Sequence, residues 1–340
     1  MTEERVEIVF TTRLPKAGFA RLEGRGSVDF RTCEGELPWS DGTELRNNGG
    51  TEIRNNGGTE LRSCEGAEIL VSTFDYKVTA EMMRRMPRLK LVANFGVGYN
   101  NIDLSYCREH GILVTNTPRT VTEPTAEHCF ALMHAIAHRT AELDRRLRTE
   151  HVTFGVMHNL GVSLYGKQLG IVGMGRIGQS VARRAVAAGM HIAYHNRHRL
   201  PEATERLYGA RYLSLDELLG TSDYVSLNLP YTPEVHHLID AAALRKMKPT
   251  AILINTARGA HVDEAALAEA LQNGTIAGAA LDVFEHEPEI TPALLGLDNV
   301  VMSPHIGTGT IDGRTDMCHE VEDNILAFLD GRQEEMNIVN

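Results

Sequence analysis

The sequence has no apolar run approaching the roughly 18–20 residues that cross a bilayer as a helix. Its five cysteines, Cys33, Cys64, Cys107, Cys129 and Cys318, are odd in number and scattered, with no CxxC pair. That excludes a disulfide framework or a zinc knuckle and leaves reduced thiols in a cytoplasm as the expectation. Positive charge is also short: Lys and Arg total 34 against 45 Asp and Glu, a net charge of -11. No general field draws in nucleic acid or anionic membrane, so neither is an expected partner. The opening Met1-Thr2-Glu3-Glu4 has no basic region followed by an apolar stretch, and export is not expected. At 42% hydrophobic and 23% charged the chain is neither disordered nor fibrous in bulk, and 340 residues suit two domains, each with its own core.

What is present is an alternation of short apolar runs and helical stretches. Val6-Glu7-Ile8-Val9-Phe10, Val28-Asp29-Phe30 and Ala67-Glu68-Ile69-Leu70-Val71 read as strands, followed by Leu89 to Phe95 and Ile112 to Asn116. Between the second and the third, Gly42-Thr43-Glu44-Leu45-Arg46-Asn47-Asn48-Gly49 recurs as Gly50 to Gly57 and starts again at Gly58. A unit with a single apolar residue cannot supply a core face, and Asn-Gly-Gly is turn chemistry. Residues 42–62 are therefore expected to be a surface insertion, with a hairpin against a partner subunit as the alternative. A long helix begins near Thr122 and carries apolar residues through Phe130, Leu132, Met133, Ile136 and Leu143. Pro118 marks the crossing between domains. From Gln168 the pattern is strand and helix repeated, with strands at 169–172, 191–194, 224–227, 251–254, 277–281 and 300–302. This is the signature of a parallel sheet covered on both faces. A last helix spans roughly Thr315 to Leu329.

Gly173-Met174-Gly175-Arg176-Ile177-Gly178 follows the strand ending at Val172 and opens a helical stretch. In that setting the first glycine makes the tight turn, the second lets backbone approach a pyrophosphate, and the third packs helix on strand. About 20 residues further, where an acidic side chain would accept the ribose hydroxyl of NAD, stands Tyr194-His195-Asn196-Arg197-His198-Arg199. Asn196 brings no charge to repel a 2′-phosphate, and Arg197, with Arg199 beside it, can form charge-assisted bonds to one. NADP is thus favoured and NAD possible, with solvated surface arginines as the bland alternative. His191, His195 and His198 would be scattered by strand and loop geometry, so no metal site is expected.

Three more groups follow predicted strands at the end where an open α/β sheet places its ligand crevice. They are Asn255-Thr256-Ala257-Arg258-Gly259, Asp282-Val283-Phe284-Glu285-His286-Glu287-Pro288 and Ser303-Pro304-His305-Ile306-Gly307. Taken singly, each is explained by an ion pair or a surface role. Together with a nicotinamide site they supply what carbonyl reduction needs: an electrophilic clamp, a proton donor, and a carboxylate that keeps a proton available on the donor.

These motifs in this order resemble the D-isomer-specific 2-hydroxyacid dehydrogenase family, in its glyoxylate/hydroxypyruvate reductase branch. The likeness runs through Asn94 to Asp103, Thr122 to His128, the glycine motif and the three strand-end groups. It implies two Rossmann-like, doubly wound parallel-sheet α/β domains. The substrate domain, residues 1–116 and 307–340, would be flavodoxin-like and discontinuous around an NAD(P)-binding domain of residues 117–306, with the two domains closing on the cofactor. It also implies NAD(P)H-dependent reduction of a small 2-oxo acid, glyoxylate or hydroxypyruvate favoured, to the D-2-hydroxy acid. His305 is then the acid/base, Glu287 its hydrogen-bonded partner, and Arg258 the group holding substrate carboxylate and carbonyl in a bidentate manner. Backbone N–H groups of Val97 and Gly98 would hold the carboxylate. Thr232, Thr256 and Ala257 would line the cofactor cleft, Asp282 would lie beside the nicotinamide carboxamide, and His305 and Gly307 would sit at the same rim. A homodimer built through the cofactor domain is expected.

The sequence departs from the family's pattern twice. Asn196-Arg197 replaces the usual acidic residue, as in NADP-using members, and the octapeptide repeat occupies a normally shorter connection. Two other readings stay open: oxidation of phosphite or phosphoglycerate by the same residues, and a catalytically inactive dinucleotide-sensing regulator, which would need no proton relay.

Overall fold

Apolar runs with no polar alternation belong in sheets buried on both faces, and every strand pairing among the described residues is parallel. A computed structural model of the chain describes residues 5–25, 27–32, 39–40 and 64–340. The octapeptide repeat and Cys33 lie outside the described residues. The chain divides into two units, Met1–Val121 with Thr308–Asn340, and Thr122–Gly307. No helix among the described residues is long and apolar enough to cross a membrane.

The first unit contains β1 (Val6–Phe10), β2 (Leu14–Pro15), β3 (Val28–Thr32), β4 (Trp39–Ser40), β5 (Ile69–Thr73), β6 (Leu91–Phe95) and β7 (Leu113–Thr115). Five of these form a sheet of order β3-β1-β5-β6-β7, and β2 pairs with β4. Counted along the chain the larger sheet runs 2-1-3-4-5, the flavodoxin-like order. β5 and β6 are buried along their whole length. The helix Ile311–Leu329 returns to this unit, packing Met317, Cys318, Val321 and Ile325 into one cluster with Phe10, Phe19 and Leu22. Its start, four residues ahead of the expected Thr315, is set by Thr310, whose side chain accepts the Gly313 amide at 3.0 Å and caps the first turn.

The second unit contains β8 (Gln168–Val172), β9 (His191–His195), β10 (Arg211–Tyr212), β11 (Tyr224–Leu227), β12 (Ile252–Asn255), β13 (Gly278–Leu281) and β14 (Val300–Met302), in the order β10-β9-β8-β11-β12-β13-β14. That is the dinucleotide-binding order 3-2-1-4-5-6 with a further strand at the end. Separate apolar clusters cover its two faces. The register aligns the carboxyl ends: His195 pairs with Val172, Val172 with Leu227, Leu227 with Asn255, Asn255 with Leu281, and Leu281 with Met302. Every loop carrying a candidate residue of this unit therefore leaves from one edge. The helix that begins at Thr122 stops at Ala137 instead of running through Leu143, because Arg139 turns left-handed at φ 56°. A second helix, Thr140–Thr149, follows and buries none of its residues.

Candidate active site

The glycine turn leaves β8 at Gly173, whose φ of +93° suits glycine and whose absent side chain lets Asn228 and Leu229 pass; a Cβ there would lie 2.8 Å from both. At Gly178 a Cβ would meet the Gly173 carbonyl oxygen at 2.5 Å, so the helix Arg176–Ala187 can approach its strand only with glycine there. Gly175 is the opposite case. It is exposed, and a Cβ there would touch nothing within 4 Å. It is also the N-cap of the helix, with no capping side chain and no acidic residue in the first turn. The first helical amides, with the helix dipole behind them, thus face open space suited to an anion. Met174 is buried beneath the turn, Ile177 is half-buried and Arg176 is exposed.

Asn196 holds this turn from the next strand, its Oδ1 accepting the Met174 amide at 2.7 Å. Arg197 is exposed and forms no hydrogen bond or ion pair among the described residues. Arg199, by contrast, is committed elsewhere: its Nε and Nη2 both bond Glu205, each at 2.8 Å, and the Tyr194 hydroxyl donates to the same carboxylate at 2.7 Å. The Arg199 fork, with that hydroxyl, pulls the Glu205 carboxyl down to about 2. Thr232 is exposed at the start of the turn Pro233–Val235.

Asn255, buried at the end of β12, shapes the turn that follows. Its Oδ1 accepts the Ala257 amide at 3.0 Å, and its Nδ2 donates to the Arg258 carbonyl at 2.9 Å. Thr256 and Ala257 are buried in this turn, and Arg258 emerges half-buried, donating one N–H to the Ala257 carbonyl at 2.5 Å. Burial pulls the Arg258 guanidinium below its ordinary value while the Glu287 carboxylate works the other way. Gly259 passes so close to the next segment that a Cβ would lie 1.8 Å from the Phe284 carbonyl carbon. This crossing ties the Arg258 turn to the segment that carries Glu287.

Glu287 accepts the Phe284 amide on Oε1 at 2.9 Å, and its Oε2 lies 2.7 Å from His305 Nδ1. A carboxylate only accepts, so Nδ1 carries the proton of that bond. Asp282 is buried after β13, its carboxylate accepting the Ser303 hydroxyl at 2.6 Å and the amides of Ile306 and Gly307 at 2.9 and 2.8 Å. Burial works to raise this carboxyl, and bonds from His128, Ser303 and the Ile306 amide hold it below the usual carboxylate value. The structure thus gathers Arg258, Asp282, Glu287, His305 and Gly307 onto loops leaving three adjacent strands.

Val97 and Gly98 belong to the first unit, in the turn after β6. Three consecutive carbonyls of this turn are drawn inward. Gly96 and Gly98 accept from the buried Asn94 Nδ2 at 3.1 and 2.8 Å, and Val97 accepts from Asn116 Nδ2 at 2.9 Å. The Val97 and Gly98 amides donate to nothing among the described residues, and Val97 is 37% exposed. A turn with inward carbonyls and uncommitted amides has the form suited to an anion.

One group of metal-ligating type occurs among the described residues: His236, His237 and Glu285, with ligand atoms within 4.8 Å of one another. His237 already bonds Glu285 at 2.6 Å, and the two imidazoles stack at 4.0 Å and 19°. Lone pairs lying in near-parallel ring planes do not converge on one ion, and we assign no metal there.

Sequence reasoning gave no role to the buried asparagines Asn94, Asn116 and Asn255 or to His128. For Asn94 and Asn255 the available signal is an asparagine at a strand end ahead of a turn, since each side chain bonds the backbone just beyond it, whereas Asn116 reaches back to the Val97 carbonyl. His128 has no comparable local signal, because its partner Ser303 lies in a distant loop.

Comparison with known proteins gives a consistent family. A model described as D-isomer specific 2-hydroxyacid dehydrogenase, NAD binding domain, matches residues 130–307. A glyoxylate reductase of Pyrococcus furiosus is 45% identical over 329 residues, spanning 95% of this chain and 92% of the relative. A Thermus thermophilus protein of known structure is similar with a TM-score of 0.84 and 38% identity, over 98% of this chain and 100% of that one. An NADPH-dependent glyoxylate/hydroxypyruvate reductase of Sinorhizobium meliloti, solved with NADP and malonate, gives a TM-score of 0.78 at 31% identity, over 96% of this chain and 94% of that one.

Proposed function

This chain belongs to the D-isomer-specific 2-hydroxyacid dehydrogenase family, and from that premise we propose a reductase of glyoxylate or hydroxypyruvate in which His305 is the proton donor. It is an NAD(P)-dependent oxidoreductase that reduces 2-oxo acids. The observation that carries the proton-donor assignment is the 2.7 Å bond between His305 Nδ1 and Glu287, on loops beside the turn of Arg258.

The open face of Gly175 and the uncapped amides behind it fit a pyrophosphate. When bound, the nicotinamide supplies a hydride to the oxo carbon. Arg258 orients the acid through its planar fork and opposes the negative charge that develops on the carbonyl oxygen. Val97 and Gly98 supply amides for a carboxylate. With Nδ1 bonded to Glu287, His305 delivers its proton from Nε2 to that oxygen, and Glu287 stabilises the imidazolium before transfer. Arg197, exposed beside the Asn196 that pins the turn, is suited to a 2′-phosphate, which favours NADP while leaving NAD usable.

Initial rates of NADPH and NADH oxidation with glyoxylate and hydroxypyruvate test this reading. His305→Ala is expected to lower kcat by about 10³-fold, within the range of general acid catalysis, with cofactor affinity unchanged. Near-normal turnover in that variant would remove His305 from the reaction.

The partner is proposed to be a second copy of the chain. Between the helix Thr140–Thr149 and β8, Phe154, Val156, Met157 and Tyr165 are 84, 93, 77 and 78% exposed, a concentration of large apolar surface that a lone chain leaves wet. Sedimentation at twice the chain mass is the expected outcome, lost on Phe154→Asp with Val156→Asp. A monomeric wild type would sink the proposal.

A further inference from the structure

We propose that His128 is a positioning residue for His305, acting through Ser303 and Asp282; this rests on His305 being the proton donor. His128 stands on the helix Thr122–Ala137, with Nε2 lying 2.9 Å from Ser303 Oγ and 3.2 Å from Asp282 Oδ1. The Ser303 hydroxyl has one proton, which goes to Asp282 at 2.6 Å. Its oxygen therefore accepts from His128, and the imidazole carries its proton on Nε2.

Asp282 in turn fastens three consecutive amides. Its carbonyl accepts His305 N–H at 2.8 Å, its Oδ1 accepts Ile306 and its Oδ2 accepts Gly307. These bonds hold a conformation the chain would otherwise leave. His305 sits at φ +53°, in the left-handed region that persists in a non-glycine residue only where its surroundings over-determine it. The direction in which the imidazole leaves the backbone is set by that turn.

His128 adds the donor that comes from outside the loop. Without it, Oδ1 of a buried carboxylate keeps the Ser303 hydroxyl and a backbone amide but loses the link to a long helix, and the Ser303 oxygen is left without a donor. The turn then relaxes, and His305 Nε2 is displaced from its line to the substrate oxygen. Positioning errors of this kind reduce kcat, whereas Arg258 and the glycine turn from Gly173 to Gly178, proposed to hold the acid and the pyrophosphate, lie off this path.

The test uses the full-length enzyme with NADPH and glyoxylate. His128→Leu is expected to lower kcat about tenfold while KM for glyoxylate and the NADPH dissociation constant stay within about twofold. His128→Gln, whose amide nitrogen stands where Nε2 stands, should restore kcat. Ser303→Ala should reproduce the loss, and adding His128→Leu to it should lower kcat little further, since both act on one path. Should His128→Leu fail to fold, His128→Asn, too short to reach Ser303, takes its place: a loss of kcat matching that of Ser303→Ala supports the inference, and unchanged kcat overturns it. Unchanged kcat in His128→Leu, or no recovery in His128→Gln, overturns the inference and leaves the His305 assignment standing. Full activity of His305→Ala would instead remove the reading on which it rests.

Discussion

Two strand ends of the second unit are built alike and do different work. After β12, buried Asn255 pins the backbone and Arg258 emerges half-buried; after β9, Asn196 pins the glycine turn and Arg197 emerges into solvent. In both, asparagine spends its amide on the main chain, so that the turn is rigid whatever the arginine does. The difference lies in the medium around each cation. A desolvated fork next to a carboxylate acts strongly on a small anion, whereas a solvated one is screened and tunes preference. On the proposed function, an asparagine and an arginine past a strand end would serve as a clamp in one place and as a selector in the other.

Changes to the buried member should be the largest. Arg258→Lys keeps the charge and loses the fork, and about 10²-fold in kcat/KM for glyoxylate is expected, the worth of one or two charge-assisted bonds. Unchanged kinetics in that variant would show that Arg258 does not hold the acid.

At the exposed member the effect shrinks. Arg197→Ala should raise KM for NADPH about five- to tenfold, leave NADH unchanged, and lose its effect as salt is raised. An equal loss for both cofactors would contradict recognition of a 2′-phosphate.

The smallest effect on chemistry is expected two residues away. Arg199→Ala should leave cofactor preference alone, because Arg199 is held by Glu205. Its signature belongs to stability. Glu205 lies at about 2 instead of 4.5, so the pair's contribution is complete above about 4.5 and disappears as pH falls toward 2. Melting temperatures of wild type and Arg199→Ala should accordingly differ at pH 6 and converge as pH approaches 2. A gap that persists there would mean that another contact accounts for it.

Much of this was legible in the sequence because it is local. The glycine turn, the strand ends and the residues just past them are set by short-range spacing, and the apolar runs fall at the strands within two residues. What was not legible depends on partners distant in the chain or on side-chain competition. Arg197 and Arg199 look equivalent until Glu205 and Tyr194 take one of them. His128 and Ser303 meet only because β14 and the helix Thr122–Ala137 lie on one sheet. The early end of that helix turns on the backbone of Arg139.

The discontinuity of the first unit has a consequence in time. Its strands β1 to β7 leave the ribosome before the second unit, yet the helix Ile311–Leu329 that closes the core around Phe10, Phe19 and Leu22 is made after it. The intervening segment, Thr122–Gly307, takes roughly 10–40 s to synthesise at about 5–20 residues per second. For that interval the inserted unit can fold while the one that encloses it in sequence stands open, with one apolar face of its sheet exposed to whatever the cell offers as a temporary cover.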